Sequence, residues 1–324
     1  MRTFRRVAGG AVALALLVSA CAPGAGNQSP SPSATQPSET LASTFILGGP
    51  PECPERPFCL LGLEDTYGLE FKEFRPLDSG GPITVEALAN DEVQVALLFT
   101  TDPTIVARDF VILEDDLGLQ RADNLIPVVN AEILTDNPEL AELLDGVSAA
   151  LTQDVLVELN RQSTEDHLDP QAIAASFLAA QGLLTGADPA TGEGVSLTVG
   201  KTNFYEQDVL SELYAQVLEA NGFTVARQEA SGTREVVFPA LEAGQIDILP
   251  EYAATALEYA NGGAGEATAD PEETAELLRT ALEPRGLTAL DPAPAANQNA
   301  IVVTGPTADE HDLVTISDLN DPPL

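Results

Sequence analysis

Short apolar runs alternate with longer amphipathic stretches through most of the chain. In the segment VEALANDEVQVALLFTTD, a helix end is followed by a polar turn at residues 90–91 and by an apolar strand, Val93–Phe99. The segment VFPALEAGQIDILPEY repeats this pattern, with a turn at residues 243–244 and a strand at Ile246–Leu249. A helix, a tight turn and a short buried strand form the repeating unit of a mostly parallel α/β sheet. The pattern therefore predicts an α/β protein.

Further elements are predicted on both sides of residues 181–194 (QGLLTGADPATGEG), a stretch rich in Gly, Ala and Thr that we interpret as a linker. Because ligands of α/β folds sit at the carboxyl ends of strands, we look for a site at 99–102, at 250–255 and after Val199. The additional predicted strands are Ser196–Val199, Thr224–Arg227 and Ala300–Val303, and the predicted helices are Ala149–Asn160, Pro170–Gln181, Asp208–Ala220 and Pro271–Arg285.

The first 43 residues lack this alternation. Three arginines precede the apolar run Val7–Ala20, which is shorter than the roughly 20 residues that a membrane span needs and is typical of a secretory signal peptide at 1–20. The run ends Val-Ser-Ala-Cys, which resembles a bacterial lipobox and implies cleavage before Cys21 and lipidation of its thiol. The alternative is an ordinary signal in which Cys21 is incidental. Residues 21–43 are rich in Ser, Pro and Gly and predict a flexible stalk, so we expect an exported protein, lipid-anchored at the outer face of the cell membrane.

Composition excludes several function classes. Asp and Glu total 51 against 14 Lys and Arg, a formal net charge of −37, which disfavours nucleic acid and anionic surfaces as partners. With two histidines and three cysteines, zinc clusters and histidine-based catalytic triads are nearly excluded. The chain contains no G-x-S-x-G, HExxH or P-loop motif, so we expect no enzyme, no cofactor and no metal site.

Five strings lie at the strand ends and turns where a ligand is expected. They resemble the glycine betaine/choline-type substrate-binding proteins of ABC transporters. This resemblance implies a type II periplasmic-binding-protein fold, two lobes that close on a small zwitterionic or quaternary-ammonium osmolyte, and an ABC permease as partner. The alternative is a sensory or scaffold lipoprotein that keeps the fold without transport. The strings are GGPPECPERPFCLLGLEDTYGLEF (48–71), VQVALLFTTDPTI (93–105) with VILEDDLGL (111–119), GKTNFYEQ (200–207), GTREVVFPALEAGQIDILPEYAATALEY (232–259) and LDPAPAANQNAIVVT (290–304).

The order of these strings departs from the family. There the GKTNF segment opens the protein, and the GGPPEC segment follows the ISDL segment with which this chain ends. The sequence therefore looks circularly permuted, with the family termini joined through 181–194 and new termini between Leu324 and Thr44. Permutation is tolerated when the old termini are close and the new break falls in an exposed loop. A domain-swapped dimer is the competing explanation.

Permutation also shifts the expected lobe boundaries. We expect lobe one to be continuous over 97–298, including the linker. Lobe two is expected to be split into 44–96 and 299–324. The two hinge crossings are then predicted near Val95–Thr100 and Asn299–Val303.

The family holds a quaternary ammonium in an aromatic cage, where ring faces attract the diffuse cation. The resemblance places Tyr252 and Phe99 at cage positions, and Tyr205 stands where a further ring could be supplied. Asn299 and the RADN run at 121–124 replace aromatic positions, so we expect a reduced cage. The competing interpretation of each ring is ordinary core packing.

The resemblance also implies a carboxylate-binding side. Lys201, in the GKTNF motif, and Arg56, in PERP, match positions that contact a ligand carboxylate, and a guanidinium offers two parallel donors to such a group. Arg234 is a further candidate. All three cations could instead lie on the surface.

Four small polar residues match positions that line the family cleft and could orient a ligand: Gln207, Thr255, Asn297 and Asp102. Asp102 could instead cap a helix, and Gln207 could face solvent. Cys53 and Cys59 lie in one short loop of an exported protein, which predicts a disulfide around Arg56. Free thiols or metal binding are the alternatives.

Overall fold

The computed structural model describes residues 39–228 and 232–323. The predicted signal peptide, Cys21 and the first part of the predicted stalk lie outside the described residues. Within the described part, two five-stranded sheets form the centres of two lobes. The predicted two-lobed α/β fold is thereby confirmed.

The strands of the first sheet, in lobe two, are β1 (Ile46–Gly49), β2 (Glu73–Pro76), β3 (Val95–Phe99), β4 (Phe110–Ile112) and β10 (Asn299–Thr304). The strands of the second sheet, in lobe one, are β5 (Leu125–Asn130), β6 (Ser196–Val199), β7 (Thr224–Arg227), β8 (Ile248–Tyr252) and β9 (Leu287–Ala289). The helices are α1 (Leu41–Thr44), α2 (Leu60–Gly62), α3 (Pro82–Ala89), α4 (Pro103–Ala107), α5 (Ala131–Asp136), α6 (Glu139–Ala150), α7 (Gln153–Thr164), α8 (Pro170–Ala180), α9 (Gln207–Ala220), α10 (Arg234–Glu242), α11 (Ala253–Asn261), α12 (Pro271–Leu282) and α13 (Gly305–His311). Short 3-10 helices lie at Cys53–Glu55, Glu283–Arg285 and Ile316–Asn320, and a π-helical turn lies at Leu63–Tyr67.

Asp-Pro pairs begin three of the helices. Asp102, Asp169 and Asp270 each accept a hydrogen bond from a backbone N–H in the first turn of α4, α8 and α12, and the proline that follows occupies the first helical position. Proline is suited to that position because its ring fixes a helical φ and the N–H it lacks has no partner there. The predicted helix Ala149–Asn160 is wrong at its start, because Leu151 and Thr152 separate α6 from α7 and the Thr152 side chain caps α7.

Both sheets are mixed, which corrects the expectation of mostly parallel sheets. In lobe two, β1 pairs in parallel with β2 and β3, whereas β10 runs antiparallel to β3 and β4. Lobe one repeats this arrangement, with parallel pairs around β6 and antiparallel pairs around β5. In each sheet, the antiparallel strand (β10 in lobe two, β5 in lobe one) is the first strand after the chain has crossed from the other lobe. The two lobes therefore share one topology.

The predicted lobe boundaries and hinges differ from the structure. Strand β4, expected in lobe one, pairs with β10 in lobe two, with Val303 opposite Val111. Residues 95–99 and 299–303 are paired central strands of lobe two rather than hinges. A bridge between Glu114 and Thr315 closes lobe two, and one between Asn124 and Ala296 closes lobe one. The chain therefore crosses between lobes at residues 115–123 and 297–298, which we call the crossing segments.

The predicted stalk is too long at its end. Helix α1 begins at Leu41, and Leu41 and Ala42 are buried in the core of lobe two. The Leu41 N–H donates to the carbonyl of Asp321 at 2.8 Å, so the beginning and the end of the described chain meet in one lobe. The burial of the apolar residues Leu41 and Ala42 makes an ordered conformation favourable there.

The predicted linker, residues 181–194, is a series of turns that packs on lobe one. Leu183 packs against the lobe-one core. The Gly192 N–H donates to the Asn221 carbonyl at 2.8 Å, and the Asp188 N–H donates to Asn221 Oδ1 at 3.1 Å. Gly222 lies so close that a Cβ there would meet the Pro189 carbonyl oxygen at 1.8 Å, and its φ of +86° suits glycine. This segment is therefore part of the folded lobe.

No helix in the described ranges is both long enough and apolar enough to cross a lipid bilayer.

Candidate functional site

A cavity of about 510 Å³ lies between the two lobes. Lobe two contributes Arg56, Phe58 and Phe99 to its walls, and lobe one contributes Phe204, Arg234, Tyr252 and Thr255. The crossing segments contribute Arg121, Asp123 and Asn297. A small ligand here would contact both lobes and both crossings at once, which is the arrangement expected of an interlobe binding site.

Aromatic rings form one side of the cavity. The rings of Phe99 and Phe204 meet edge to face with centroids 5.4 Å apart, and those of Phe204 and Tyr252 do so at 6.0 Å. Phe58 also lines the cavity, and the guanidinium of Arg121 lies 6.0 Å from its ring centroid. Ring faces attract a diffuse cation, so this wall suits an alkylated ammonium. The cavity is richer in rings than the expected reduced cage.

The hydroxyl of Tyr252 is tied to a buried carboxylate behind the cavity wall. It donates to Oε1 of Glu206 at 2.6 Å and accepts from Nε2 of Gln207 at 3.3 Å. Glu206 also accepts from Nδ2 of Asn160 at 2.8 Å and from Nδ2 of Asn297 at 3.0 Å. Burial raises the pKa of Glu206, although these donors oppose the shift. Tyr252 is therefore fixed by its hydroxyl and offers its ring to the cavity.

A second polar cluster joins Arg234, Glu251, Thr255 and Asp123. Arg234 Nη2 donates to the fully buried Glu251 carboxylate at 2.8 Å and to Thr255 Oγ1 at 2.8 Å. The Thr255 backbone N–H in turn donates to Asp123 Oδ1 at 2.9 Å. Burial raises the pKa of Asp123 to about 6, although the Thr255 N–H and the Arg234 charge lower it. Cation and anion thus lie side by side at the lobe-one end of the cavity.

The lobe-two wall is built on a disulfide loop. The structure joins Cys53 and Cys59 in a disulfide, with Arg56 between them on the rim. Arg56 is exposed and forms an ion pair with Glu52 at 3.2 Å. The carbonyl of Phe58 accepts from Nδ2 of Asn299 at 2.9 Å. Asn299 therefore positions Phe58 at the cavity.

Lys201 does not line this cavity, which corrects the predicted carboxylate contact. Its ammonium pairs with Asp208 in the first turn of α9, and it lines a separate pocket with Arg227 and Asp169. The Asp208 carboxylate attracts the ammonium, and this ion pair holds the flexible lysine side chain away from the cleft. Arg234, the other basic candidate of lobe one, does line the cavity.

Three more predicted contacts lie behind the walls rather than at the cavity surface. Tyr205 stacks beside Phe204 and shares a hydrogen bond with Thr101 at 2.6 Å. Gln207 is fully buried, and its amide is occupied by Tyr252 and by the Thr202 backbone N–H. Asp102 caps α4, which was the structural alternative to a ligand contact. Phe99, Arg56, Tyr252, Thr255 and Asn297 do line the cavity, as does Arg234.

Phe204, Phe58, Asp123 and Glu206 were missed. Phe204 and Glu206 stand inside the quoted GKTNFYEQ motif, and Phe58 stands inside PERPFC, so their motif positions were the available signal. The RADN run at 121–124 indicated only a missing aromatic residue, and no motif pointed to the carboxylate of Asp123. Within residues 39–228 and 232–323, no cluster of three or more His, Cys, Asp or Glu is arranged to hold a metal ion.

The sequence of this chain is similar to those of known proteins. A family model described as the substrate binding domain of ABC-type glycine betaine transport system matches residues 34–180 and 195–324. A glycine-betaine-binding protein of Pseudomonas aeruginosa is 32% identical over 156 residues, 48% of this chain and 49% of that protein. Glycine betaine-binding protein YehZ of Escherichia coli is 30% identical over 144 residues, 43% of this chain and 47% of that protein.

The chain spans about half the length of the curated relatives that it matches. A solved glycine betaine/carnitine/choline ABC transporter structure is 13% identical, with a TM-score of 0.37. The match covers 85% of this chain and 89% of that chain. The family match confirms the resemblance inferred from the motifs, and this family consists of transport domains rather than enzymes.

Proposed function

Because the chain belongs to the family of substrate-binding domains of ABC-type glycine betaine transport systems, we propose that it captures a small osmolyte between its lobes and delivers it to an ABC permease. The observation that carries this proposal is a single cavity with aromatic rings on one side and arginines from both lobes. That combination fits a zwitterion or a quaternary ammonium of glycine betaine, choline or carnitine type. The family describes transport, which does not favour the sensory or scaffold alternative.

In the proposed complex, the cationic head lies against Phe99, Phe204 and Tyr252. Each ring face contributes about 0.5–2 kcal/mol to holding such a cation. The carboxylate then reaches Arg56 on lobe two or Arg234 on lobe one, where a guanidinium provides charge-assisted hydrogen bonds.

The distribution of charge supports an anionic group on the ligand. Three of the 14 basic residues of the chain, Arg56, Arg121 and Arg234, line this one cavity. In a protein with a net charge of −37, a cleft without them would repel a carboxylate. Glu52, Asp123 and Glu235 line the cavity beside the three arginines, and the buried Glu251 pairs with Arg234, so the cleft carries no net positive charge. A zwitterion suits such a cleft better than a net anion does.

Binding and closure are coupled in this proposal. Tyr252 belongs to lobe one, Arg56 belongs to lobe two, and the crossing segments 115–123 and 297–298 lie between them. A ligand that touches both lobes favours the closed arrangement by the contacts it makes only there. A closed, liganded state is what a permease would have to distinguish from the empty protein.

We also propose that the mature protein is extracytoplasmic and lipid-anchored through Cys21. The support is the apolar run Val7–Ala20, the Val-Ser-Ala-Cys sequence and the polar residues that follow. Metabolic labelling with a radioactive fatty acid tests the anchor. Wild type should be labelled and Cys21→Ala should not, whereas label on both would exclude this attachment.

The permuted order of the family segments remains a proposal. It is supported by the hydrogen bond from the Leu41 N–H to the Asp321 carbonyl, which brings the two ends of the folded chain together. The shared topology of the two sheets supports it as well, because either lobe can then come first in the chain. Sedimentation analysis distinguishes this proposal from the swapped dimer, because it predicts a monomer.

Calorimetry with glycine betaine, choline, carnitine and an uncharged polyol tests the proposed ligand class. We expect binding of at least one charged osmolyte and none of the polyol. Tyr252→Leu removes a ring face and should weaken binding roughly 5–30-fold, from about 1–2 kcal/mol. Lys201→Ala is the control and should leave affinity unchanged. Absence of binding to all three charged compounds, or a loss caused by Lys201→Ala alone, would contradict the proposed site.

A further inference from the structure

The crossing segments carry two hydrogen-bond acceptors at the floor of the cleft. Asp123 and Asn297 both line the cavity, and they are 9% and 7% exposed. The Asn297 backbone N–H donates to the Asp123 carbonyl at 3.0 Å, so the two residues are held side by side.

The Asp123 carboxylate is used on one oxygen. Thr255 donates to Oδ1 through its backbone N–H at 2.9 Å and through its hydroxyl at 3.3 Å. Among the described residues, no donor bonds to Oδ2. Arg234, whose charge acts on Asp123, directs Nε and Nη2 to Glu251 instead. One oxygen of a nine-tenths-buried carboxylate is thus available at the cavity.

Asn297 shows a similar imbalance. Its Nδ2 donates to Glu206 at 3.0 Å, which fixes the orientation of the amide. Its Oδ1 is buried and has no hydrogen-bond partner within the described ranges. Asn297 Oδ1 is enclosed by protein atoms, so the acceptor that a ligand can reach is Asp123 Oδ2. Buried acceptors normally have a donor, and this oxygen calls for one from a ligand.

We propose that this cleft selects ligands whose cationic nitrogen keeps at least one N–H, with Asp123 Oδ2 as its main acceptor. A trimethylated ammonium has no N–H and can offer this oxygen only C–H groups. A partly methylated ammonium can place its methyl groups against Phe204 and Tyr252 and donate its N–H to Asp123. This proposal rests on the proposed function and narrows its ligand class to N–H-bearing zwitterions.

The position of Asp123 gives the selection its physical basis. Asp123 places a carboxylate oxygen in the same cavity as the rings of Phe204 and Tyr252. A ring holds a methylated cation without regard to direction, whereas a carboxylate gains most from a directed N–H···O bond. Ligand choice should therefore shift from full methylation toward N–H donors.

The methylation series of glycine tests this by calorimetry at pH 7.5. Glycine, N-methylglycine, N,N-dimethylglycine and glycine betaine share the carboxylate and carry three, two, one and no N–H groups. We expect N,N-dimethylglycine to bind about 10–100-fold more tightly than glycine betaine, the usual effect of a charge-assisted hydrogen bond. Glycine betaine binding as tightly as or more tightly than N,N-dimethylglycine would overturn the proposal and leave the osmolyte-binding function standing.

Asp123→Asn assigns the effect to this residue. The amide can keep the Thr255 contact but removes the negative charge, which weakens the binding of every cation in the series. Only the N–H-bearing ligands lose a charge-assisted bond as well, so the preference for N,N-dimethylglycine should shrink at least fivefold. Asp247→Asn is the matched control, because Asp247 accepts a backbone N–H from Thr198 at 2.7 Å and does not line the cleft. An unchanged preference in Asp123→Asn would assign the selection elsewhere and overturn the proposal.

A folding defect does not obscure the result, because selectivity is a ratio measured within one protein. Thr255→Val provides a second variant. It removes the hydroxyl that joins Arg234 to Asp123 but keeps the backbone donor, so the preference for N,N-dimethylglycine should persist. If none of the four compounds, nor choline or carnitine, binds to the folded wild type, the proposed function itself fails, and this selection fails with it.

Discussion

The ring and the hydroxyl of Tyr252 have separable roles, and Tyr252→Phe divides them. The variant keeps the ring at the cavity but removes the hydroxyl that donates to Glu206 at 2.6 Å and accepts from Gln207 at 3.3 Å. Removing one partner of a buried hydrogen bond costs about 1–3 kcal/mol, and this change removes a partner from both Glu206 and Gln207. We therefore expect the free energy of unfolding to fall by about 2–6 kcal/mol.

Tyr214→Phe is the matched control for this loss. Tyr214 is also buried in lobe one, but its hydroxyl shares a hydrogen bond with the neutral Ser148 hydroxyl at 3.1 Å. A neutral pair contributes about 0.5–1.5 kcal/mol. Urea unfolding followed by circular dichroism at pH 8 should rank the loss in Tyr252→Phe above that in Tyr214→Phe, with similar slopes against denaturant.

Calorimetry on the same two variants completes the test. Because Tyr252→Phe keeps the ring face, its affinity for the preferred osmolyte should stay within about threefold of wild type. The reasoning is refuted if Tyr252→Phe costs no more stability than Tyr214→Phe. It is also refuted if the folded Tyr252→Phe protein no longer binds, because the hydroxyl would then be a ligand contact.

Three further outcomes are expected. Arg56→Ala should weaken binding of carboxylate-bearing osmolytes by about 1.5–3 kcal/mol but leave binding of choline unchanged. The control is Arg75→Ala, which should change neither affinity, because Arg75 pairs with Glu92 at 3.3 Å outside the cleft. Equal losses of affinity for both ligands in Arg56→Ala would contradict the assignment. Burial raises the pKa of Asp123 from 3.8 to about 6, so its contribution to stability is full below pH 4 and is lost as the pH rises through 6. Over that range, the free energy of unfolding of wild type should fall by roughly 3 kcal/mol relative to that of Asp123→Asn. Parallel profiles of unfolding free energy against pH for the two proteins would exclude this. A variant in which residue 321 is linked to residue 39 and new termini are placed within 181–194 should fold and bind the osmolyte. A variant that does not fold would count against permutation.

The sequence was most informative where a local signal was strong. The strands at Ser196–Val199 and Thr224–Arg227 have the predicted bounds, because short apolar runs lie between clear turns. Helix α9 begins one residue before its predicted start. The break between α6 and α7 was missed, because the apolar Leu151 continues the helical pattern while Thr152 ends it by capping the next helix.

The cleft could be predicted only in part. A motif fixes where a side chain stands in the chain but not which way it points, and for that reason Lys201 turned out to face Asp208. Tyr252 was found because the string PEYAAT matches a cage position of the family that the sequence resembles. Glu206 could not be assigned to the wall network, because Asn160 and Asn297 reach it from distant parts of the sequence. The crossing segments were misplaced because β3 and β10 carry the apolar pattern of any central strand.

The most direct test of the account is a crystal structure of the protein grown with a saturating concentration of whichever osmolyte binds most tightly. The account predicts ligand density between the lobes, with the cationic nitrogen against Phe204 and Tyr252 and the carboxylate within hydrogen-bond distance of Arg56 or Arg234. Density in the separate pocket beside Lys201 and Arg227, with the interlobe cavity occupied only by solvent, would contradict it.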